Sequence, residues 1–160
     1  MTTEFWTADT TMAITIGTAP DAWGIWFPDD PRQMPCHRFL DEVAEAGYEW
    51  IELGPYGYLP TDLPTLREAL EARRLKVCAC IVEGNLEDAA HWPNVEAQVL
   101  GGGELVAALD GRFMVLVDDG YTDLVTGDQI SPARLDEDGW KRLIDTTNRI
   151  AATARDRFGF

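Results

Sequence analysis

Hydrophobic positions along the chain form short β-branched runs that alternate with longer segments of helical periodicity. The short runs predict four strands, at residues 13–17, 50–53, 76–82 and 112–117. Each strand is followed by a segment whose apolar residues recur three and four positions apart, which predicts a helix. Strands that alternate with helices imply right-handed crossovers and a parallel sheet. The chain is therefore predicted to be an α/β protein of about four βα units.

The predicted helices differ in how well their patterns are formed. The fourth is the most regular, with Asp136 at its start, Gly159 as its stop and a periodic apolar set of Trp140, Leu143, Ile144, Thr147, Ile150, Ala151 and Ala154. Thr61 or Asp62 can cap the second helix. The third contains Gly101, Gly102 and Gly103, each costing about 1 kcal/mol in a helix interior. We therefore expect the third helix to be broken or kinked.

Composition and charge narrow the class of protein. The 160 residues are 46% hydrophobic and 26% charged, which is typical of a globular domain. A net charge of −15 disfavours nucleic acid as a partner. No apolar run approaches the roughly 20 residues of a membrane span. The three cysteines predict no disulfide framework and indicate the cytoplasm. Residues 1–11 are polar and unpatterned, without a signal-peptide pattern, and are predicted to be a disordered extension before a domain over 12–160.

Candidate functional residues lie where the predicted strands end, because parallel α/β folds place their sites at the carboxyl ends of strands. No glycine-rich nucleotide-binding turn follows the first strand. Polar and aromatic residues follow all four strands: Asp21, Trp23, Trp26 and Phe27; Glu52, Tyr56 and Tyr58; Glu83, Asn85 and His91; Asp118, Asp119 and Tyr121.

Five of these residues are the predicted substrate-binding set. Trp23 and Trp26 have faces that suit the apolar side of a sugar ring, although they could equally form a hydrophobic plug. Glu52 interrupts an apolar strand, where an unpaired carboxylate is costly, so it either faces a site or pairs with a cation. Tyr56 and Tyr58 could offer hydroxyl groups to a polyol or simply stabilise a turn.

Other chemistry-bearing residues favour simpler interpretations. His37 fits a surface position at the start of a helix, and His91 has no spaced partner that would make it a metal ligand. Cys78 and Cys80 are expected to be packed free thiols, because a lone C-x-C pair is weak evidence for zinc. The Asp118-Asp119 pair could bind a cation, but a solvated loop is the preferred interpretation.

Three stretches resemble the sugar phosphate isomerase/epimerase superfamily of xylose isomerase-like TIM barrels: ITIGTAPDAWGIWFPDDP, FLDEVAEAGYEWIELGPYGYLPTD and LDEDGWKRLIDTTNRIA. The most similar branch contains the inosose (2-keto-myo-inositol) dehydratases. The resemblance implies a partial TIM barrel, the N-terminal half, acting on a keto-sugar, a polyol or an inositol derivative. A self-standing flavodoxin-like domain is the alternative fold.

The resemblance also implies a divalent metal, manganese, cobalt or magnesium, that assists proton transfer beside a carbonyl. Its ligands would come from the second half of a complete barrel, so no metal ligand or catalytic residue is assigned here. A complete barrel takes about 250 residues. We therefore expect a truncated chain, inactive and metal-free alone. The alternative is a non-catalytic half-barrel module that pairs with itself or with a separate C-terminal half.

Overall fold

A computed structural model describes residues 14–123, 125–131 and 134–160. The predicted extension over residues 1–11 lies outside the described residues. Four parallel strands form one sheet in the order β1-β2-β3-β4: β1 (Gly17–Thr18), β2 (Trp50–Glu52), β3 (Lys76–Gly84) and β4 (Phe113–Asp118). Each strand pairs with the next along the chain, which confirms the predicted α/β class with four βα units. A flavodoxin-like sheet reverses its order after the first strands, so that alternative is wrong for the described strands.

The first strand is shorter than the sequence pattern predicts. The prediction covered residues 13–17, whereas β1 comprises only Gly17 and Thr18, paired with Trp50 and Ile51. β1 lies at the edge of the sheet and its single neighbour, β2, is three residues long. Few ladder hydrogen bonds are therefore available to define a longer strand.

In the described residues four α-helices follow the strands: α1 (Cys36–Glu45), α2 (Leu63–Glu71), α3 (Trp92–Ala108) and α4 (Glu137–Phe158). Asp62 caps α2, because its carboxylate accepts a hydrogen bond from the Thr65 amide at 3.1 Å. Asp136 caps α4 in the same way through the Gly139 amide at 2.7 Å. No described helix has both the length and the apolar character to cross a membrane.

Helix α3 is continuous, so the predicted break at its three glycines is wrong. The glycines lie where neighbouring groups approach the helix closely. A Cβ atom at Gly101, Gly102 or Gly103 would contact, respectively, the Tyr56 hydroxyl, the Cys80 side chain or the Phe158 ring. Packing that only glycine permits therefore compensates for its low helix propensity.

Helix α4 lies against α3 and covers part of the core. Ile150 and Ala154 are buried, while Trp140 and Ile144 of the same apolar pattern are about half exposed. The Arg149 guanidinium lies 3.5 Å from the centre of the Trp92 ring. The N-terminal part of the periodic face of α4 is consequently exposed in the described chain.

The two faces of the sheet differ. Cys80 and Val82 of β3 are buried on the face that carries α3. On the other face the register aligns Ile81 with Val115 and Glu83 with Val117. Val115 and Val117 remain 36% and 39% exposed, and Phe113 on the same face is 66% exposed. This second face, called the inner face below, is open along β4.

Candidate functional site

A cavity of about 290 Å³ lies at the carboxyl ends of the strands, and it is called the principal cavity because of this location. Every strand or its following loop contributes to the lining: Asp21, Ile25, Trp26, Pro55, Ile81, Glu83, Val117, Asp118, Asp119, Tyr121 and Thr122. This is the location expected for a site in a parallel α/β fold. The cavity combines apolar walls with carboxyl groups at its rim.

The loop after β1 reaches the cavity because of one close contact. Gly54, just after β2, has a φ of +69°, and a Cβ atom there would collide with the Pro20 ring. Only glycine accommodates this conformation and this approach. The contact seats the short 3-10 helix Pro20–Trp23 over the end of β2, and Asp21 and Trp26 then face the cavity.

Two half-buried carboxyl groups, Glu83 and Asp119, line this cavity. Burial, together with the charge of Asp119, raises the pKa of Glu83. Burial and the neighbouring Asp118 raise the pKa of Asp119, while His91 opposes that shift. Groups whose pKa is raised toward neutrality are suited to hold and move protons.

Gln98 fixes the backbone that carries Glu83. It is a buried polar side chain on α3, 7% exposed. Its amide oxygen accepts from the Glu83 amide at 3.0 Å, and its amide nitrogen donates to the Glu83 carbonyl at 2.8 Å. This pair of hydrogen bonds replaces ladder bonds at the end of β3 and holds Glu83 at the rim. Gln98 was not among the residues predicted from the sequence.

Asp118 joins two loops of the site. Its carboxylate accepts from the Leu86 amide at 3.1 Å and from the Tyr121 hydroxyl at 2.8 Å. The same hydroxyl lies 3.2 Å from a Glu87 oxygen, and burial with the nearby Asp118 raises the pKa of Glu87. The interpretation of Asp118 as part of a solvated loop is therefore wrong. The contact between Glu87 and Tyr121 was not predicted, because no pattern in the sequence indicates that the loops after β3 and β4 meet.

Glu52 lies on the inner face beside the cavity. The register pairs it with Ala79 of β3, after an irregularity that follows Ile51. Burial is the main cause that raises its pKa, and the charge of Asp21 adds to it. No cation pairs with its carboxylate among the described residues. Of the two interpretations, an orientation toward a site is the one supported here.

The two loop tryptophans occupy different environments. Trp26 is 44% exposed and lines the cavity. Its amide and that of Phe27 donate to the Gln33 side chain at 2.6 and 3.0 Å, which fixes this part of the loop. Trp23 packs edge-to-face against Phe39 and donates from Nε1 to Glu42 at 3.1 Å. Trp26 is thus placed to contact a ligand, whereas Trp23 supports the loop.

The two predicted tyrosines, Tyr56 and Tyr58, also lie in different environments. Tyr58 is buried against Phe39 and donates its hydroxyl to the Met34 carbonyl at 2.9 Å. Burial raises its pKa above the usual tyrosine value. Tyr56 lines a second cavity, described below, together with Glu83 and His91. Of the five residues predicted to bind substrate, only Trp26 lines the principal cavity, with Glu52 beside it. A substrate-binding role remains a prediction for all five.

The remaining candidates are readily placed. His37 is exposed at the start of α1, as predicted. Cys78 and Cys80 are free thiols; burial raises the pKa of Cys80 to about 12, which makes it an inert packed thiol. Ile25, Pro55, Ile81, Val117 and Thr122 line the cavity but were not predicted. For Ile81 and Val117, only the register of β3 and β4 shows which face they occupy.

A divalent metal site needs several donor side chains that converge on one point. Within residues 14–123, 125–131 and 134–160, no three His, Cys, Asp or Glu side chains are grouped so that they could hold a metal ion. The Asp118 carboxylate already accepts from the Leu86 amide and the Tyr121 hydroxyl, and Glu87 is the carboxylate that lies beside that hydroxyl. The described residues therefore do not fit a metal site.

No protein-family model matches the chain. Two curated inosose dehydratases from strains of Clostridium perfringens are each 23% identical over 150 residues. The alignments cover 90% of this chain and 49% of each enzyme, so the chain spans about half the length of the curated relatives it matches.

Solved structures of two epimerases share the fold. The D-allulose 3-epimerase of a Methylomonas species, in complex with D-allulose, superposes with a TM-score of 0.57 at 17% identity. That superposition covers 90% of this chain and 48% of the epimerase. The 3-keto-D-glucoside 4-epimerase of E. coli gives 0.55 at 14% identity, covering 84% and 52%. The predicted resemblance to xylose isomerase-like barrels is thus confirmed, and the four βα units are a partial TIM barrel.

Proposed function

We propose that the chain forms the substrate-facing half of a sugar isomerase/epimerase- or inosose dehydratase-like site for a neutral keto-sugar or inositol derivative. The observation that carries this proposal is the cavity at the strand ends, where the Trp26 indole and an apolar wall face carboxyl groups. An indole packs against the C–H face of a sugar ring, while carboxylates accept hydrogen bonds from its hydroxyls. The named activities of the relatives support the same class of ligand.

The residues of this chain would bind the ligand and exchange protons with it. Isomerisation, epimerisation and dehydration of a keto-sugar all require removal of a proton beside a carbonyl, which a positioned carboxylate can accept. Glu83 and Asp119 line the cavity, and burial has shifted the pKa of each upward. A raised pKa makes each carboxylate a stronger base and keeps the proton it takes up.

The positions of the predicted residues support a different proposed role for each. Trp26 would contact the ring, Glu52 would complete the acidic rim beside Asp21, and Tyr56 would act from the neighbouring cavity. Trp23 and Tyr58 would act indirectly, by holding the loops that carry the site.

We also propose that residues 12–160 are the N-terminal half of a barrel and that the protein is cytoplasmic.

Ligand binding by the chain tests the proposal directly. Saturation-transfer NMR should detect 2-keto-myo-inositol or D-fructose on the 160-residue chain. Trp26→Ala should weaken that binding at least about fivefold, the loss of roughly 1 kcal/mol of apolar contact. Trp140→Ala is the matched control, because Trp140 is exposed to a similar extent on α4. Equal effects of the two substitutions, or no binding of either sugar, would refute the proposal.

Turnover is a separate question, and we expect none from the chain alone. Dehydration of 2-keto-myo-inositol and epimerisation of D-allulose should be measured with added manganese or cobalt. Metal-dependent turnover by this chain would contradict the proposal that it is truncated and inactive by itself. That result would leave the assignment of the ligand class intact.

A non-catalytic assembly module is the second candidate. The exposed inner face of β4, with Phe113, Val115 and Val117, favours it, because exposed apolar strands at a sheet edge associate readily. Such a module would pair with itself or with a separate C-terminal half. Light scattering that gives a molar mass near twice 17.8 kDa would support self-pairing.

A further inference from the structure

A second cavity lies beside the principal one and shares a wall with it. It has a volume of about 280 Å³ and is lined by Pro28, Tyr56, Glu83, Gly84, His91, Asn94, Ala97, Gln98 and Asp119. Glu83 and Asp119 line both cavities. Because two lining residues are common to both spaces, the cavities adjoin one another at Glu83 and Asp119, and they are called the two compartments below.

From this arrangement we infer that the second cavity binds a second, neutral sugar unit, so that the ligand is a glycoside rather than a monosaccharide. The inference rests on the proposed function and deepens it. A keto-sugar or inositol unit would occupy the principal cavity, and a glycosidic partner would occupy the second one.

The size of each compartment supports this division. Sites for small molecules begin at roughly 300 Å³, and each compartment is close to that lower bound. One compartment therefore accommodates one small ring with little spare volume. A ligand that fills both has two rings, with the connecting bond near Glu83 and Asp119.

The lining of the second cavity is chemically different from that of the first. Asn94 accepts from Gln98 Nε2 at 3.2 Å through its own oxygen, while its Nδ2 donor has no partner among the residues that the structure describes. Tyr56 adds a hydroxyl, which lies close to Gly101 of α3, and Glu83 and Asp119 add acceptor oxygens. A small space lined by both donors and acceptors matches a ring that carries hydroxyl groups.

Charge disfavours an anionic second unit. Neither cavity has lysine or arginine among its described lining residues, and the second has His91 as its basic side chain, whereas the four carboxyl groups of Asp21, Glu83, Asp118 and Asp119 line one or both. A phosphate group normally needs arginine, lysine or several backbone amides. Next to these carboxylates it would be repelled, so the compartment selects a neutral ring.

The shared wall is held in place by the Gln98 hydrogen bonds to the Glu83 backbone. Because Gln98 also lines the second cavity, the residue that positions the carboxyl group belongs to the compartment itself. The backbone of Glu83 is thus held by hydrogen bonds before any ligand binds, which lowers the entropic cost of binding there.

The test compares matched pairs of probes on the 160-residue chain by saturation-transfer NMR and calorimetry. D-Fructose is compared with the glucosyl-fructoses turanose and palatinose, myo-inositol with galactosyl-myo-inositol, and D-fructose with its 6-phosphate. In at least one pair the glycoside should bind about tenfold more tightly than its parent sugar, and fructose 6-phosphate should bind more weakly than fructose.

Substitutions then assign the gain to the second compartment. Asn94→Ala should reduce the ratio of glycoside to parent affinity to near one. Asn148→Ala, at an exposed position on α4, should leave the ratio as in the unmodified chain. Thermal melting of both variants establishes that they are folded.

The results that would refute this inference differ from those that would refute the proposed function. If the parent sugars bind but no glycoside binds more than about twofold better, the second subsite is refuted and the proposed function stands. Tighter binding of fructose 6-phosphate than of fructose would also overturn the neutral-ligand assignment. If no probe binds at all, both the proposed function and this inference fail.

Discussion

Glu83 is one of the two residues that line both cavities. Its backbone is held by Gln98, and its pKa is raised by burial and by the charge of Asp119. A carboxyl group in such a position reduces the stability of the folded protein once it ionises. Its retention at the rim is consistent with a functional rather than a structural role.

The cost of ionising Glu83 gives a pH-dependent prediction. Because its folded-state pKa lies above the usual value near 4.5, the unfolded chain releases this proton first as the pH rises. Stability therefore falls through the interval between the two pKa values and stays lower above it. Glu83→Gln should equal the unmodified chain in stability below about pH 4 and be the more stable of the two at pH 7.

Urea denaturation at pH 4 and pH 7 measures this difference. Glu68→Gln, at an exposed position in α2, is the control and should show little change between the two pH values. If Glu83→Gln is less stable than the unmodified chain at pH 7, the carboxylate is stabilised by a partner rather than penalised by burial.

How far the sequence predicted individual residues depends on what each pattern encodes. The rule that sites lie after strands selected Asp21, Trp26, Glu83 and Asp119, which all line the principal cavity. It could not separate Trp26 from Trp23, since both lie in the same loop and only tertiary contacts bury one of them. Gln98 was missed because a polar residue on a helix gives no signal of burial until the helix is packed.

Helix α3 shows why element-level predictions succeed in type and fail in detail. Apolar periodicity identified a helix near this position, but glycine propensity predicted a break that is absent. Propensity describes an isolated helix, whereas here Tyr56, Cys80 and Phe158 occupy the space left by the missing side chains. The contacts come from the loop after β2, from β3 and from α4, so no local pattern could reveal them.

The glycine packing predicts an inverted effect of alanine. In an exposed helix, Gly→Ala stabilises by about 1 kcal/mol. At Gly103 the added methyl would collide with the Phe158 ring of α4, and such overpacking costs about 1–3 kcal/mol. Gly103→Ala should therefore lower the free energy of unfolding, as measured by chemical denaturation.

A double-mutant cycle isolates the cause. In a Phe158→Ala background the collision is removed, and the same Gly103→Ala change should become neutral or stabilising. If Gly103→Ala destabilises the chain equally in both backgrounds, the close approach of α4 to α3 is not the reason for the glycine.

At the scale of the whole molecule, the four units leave the sheet with two edges. Among the described strands, β1 and β4 each pair on one side only, and the inner face of β4 exposes Phe113, Val115 and Val117. The relatives are about twice as long as the matched segment, so each contains further chain outside the part that matches. The sequence predicted this openness from the number of units, since four strands do not close a barrel.

The free edge of β4, with its row of exposed apolar side chains, predicts that the chain on its own self-associates. Light scattering over a range of concentrations should show a molar mass that rises toward twice 17.8 kDa. Val115→Lys should shift the chain toward monomer, because a lysine on an edge strand opposes pairing with another chain. Ile130→Lys is the matched control: Ile130 is 63% exposed, but it lies in the loop before α4 rather than on the edge strand.

If the chain remains monomeric at every concentration, or if both lysine variants act alike, then the inner face of β4 does not mediate assembly. The self-pairing form of the second candidate function would then be excluded, while the ligand-binding proposal, which depends on the strand ends, would stand.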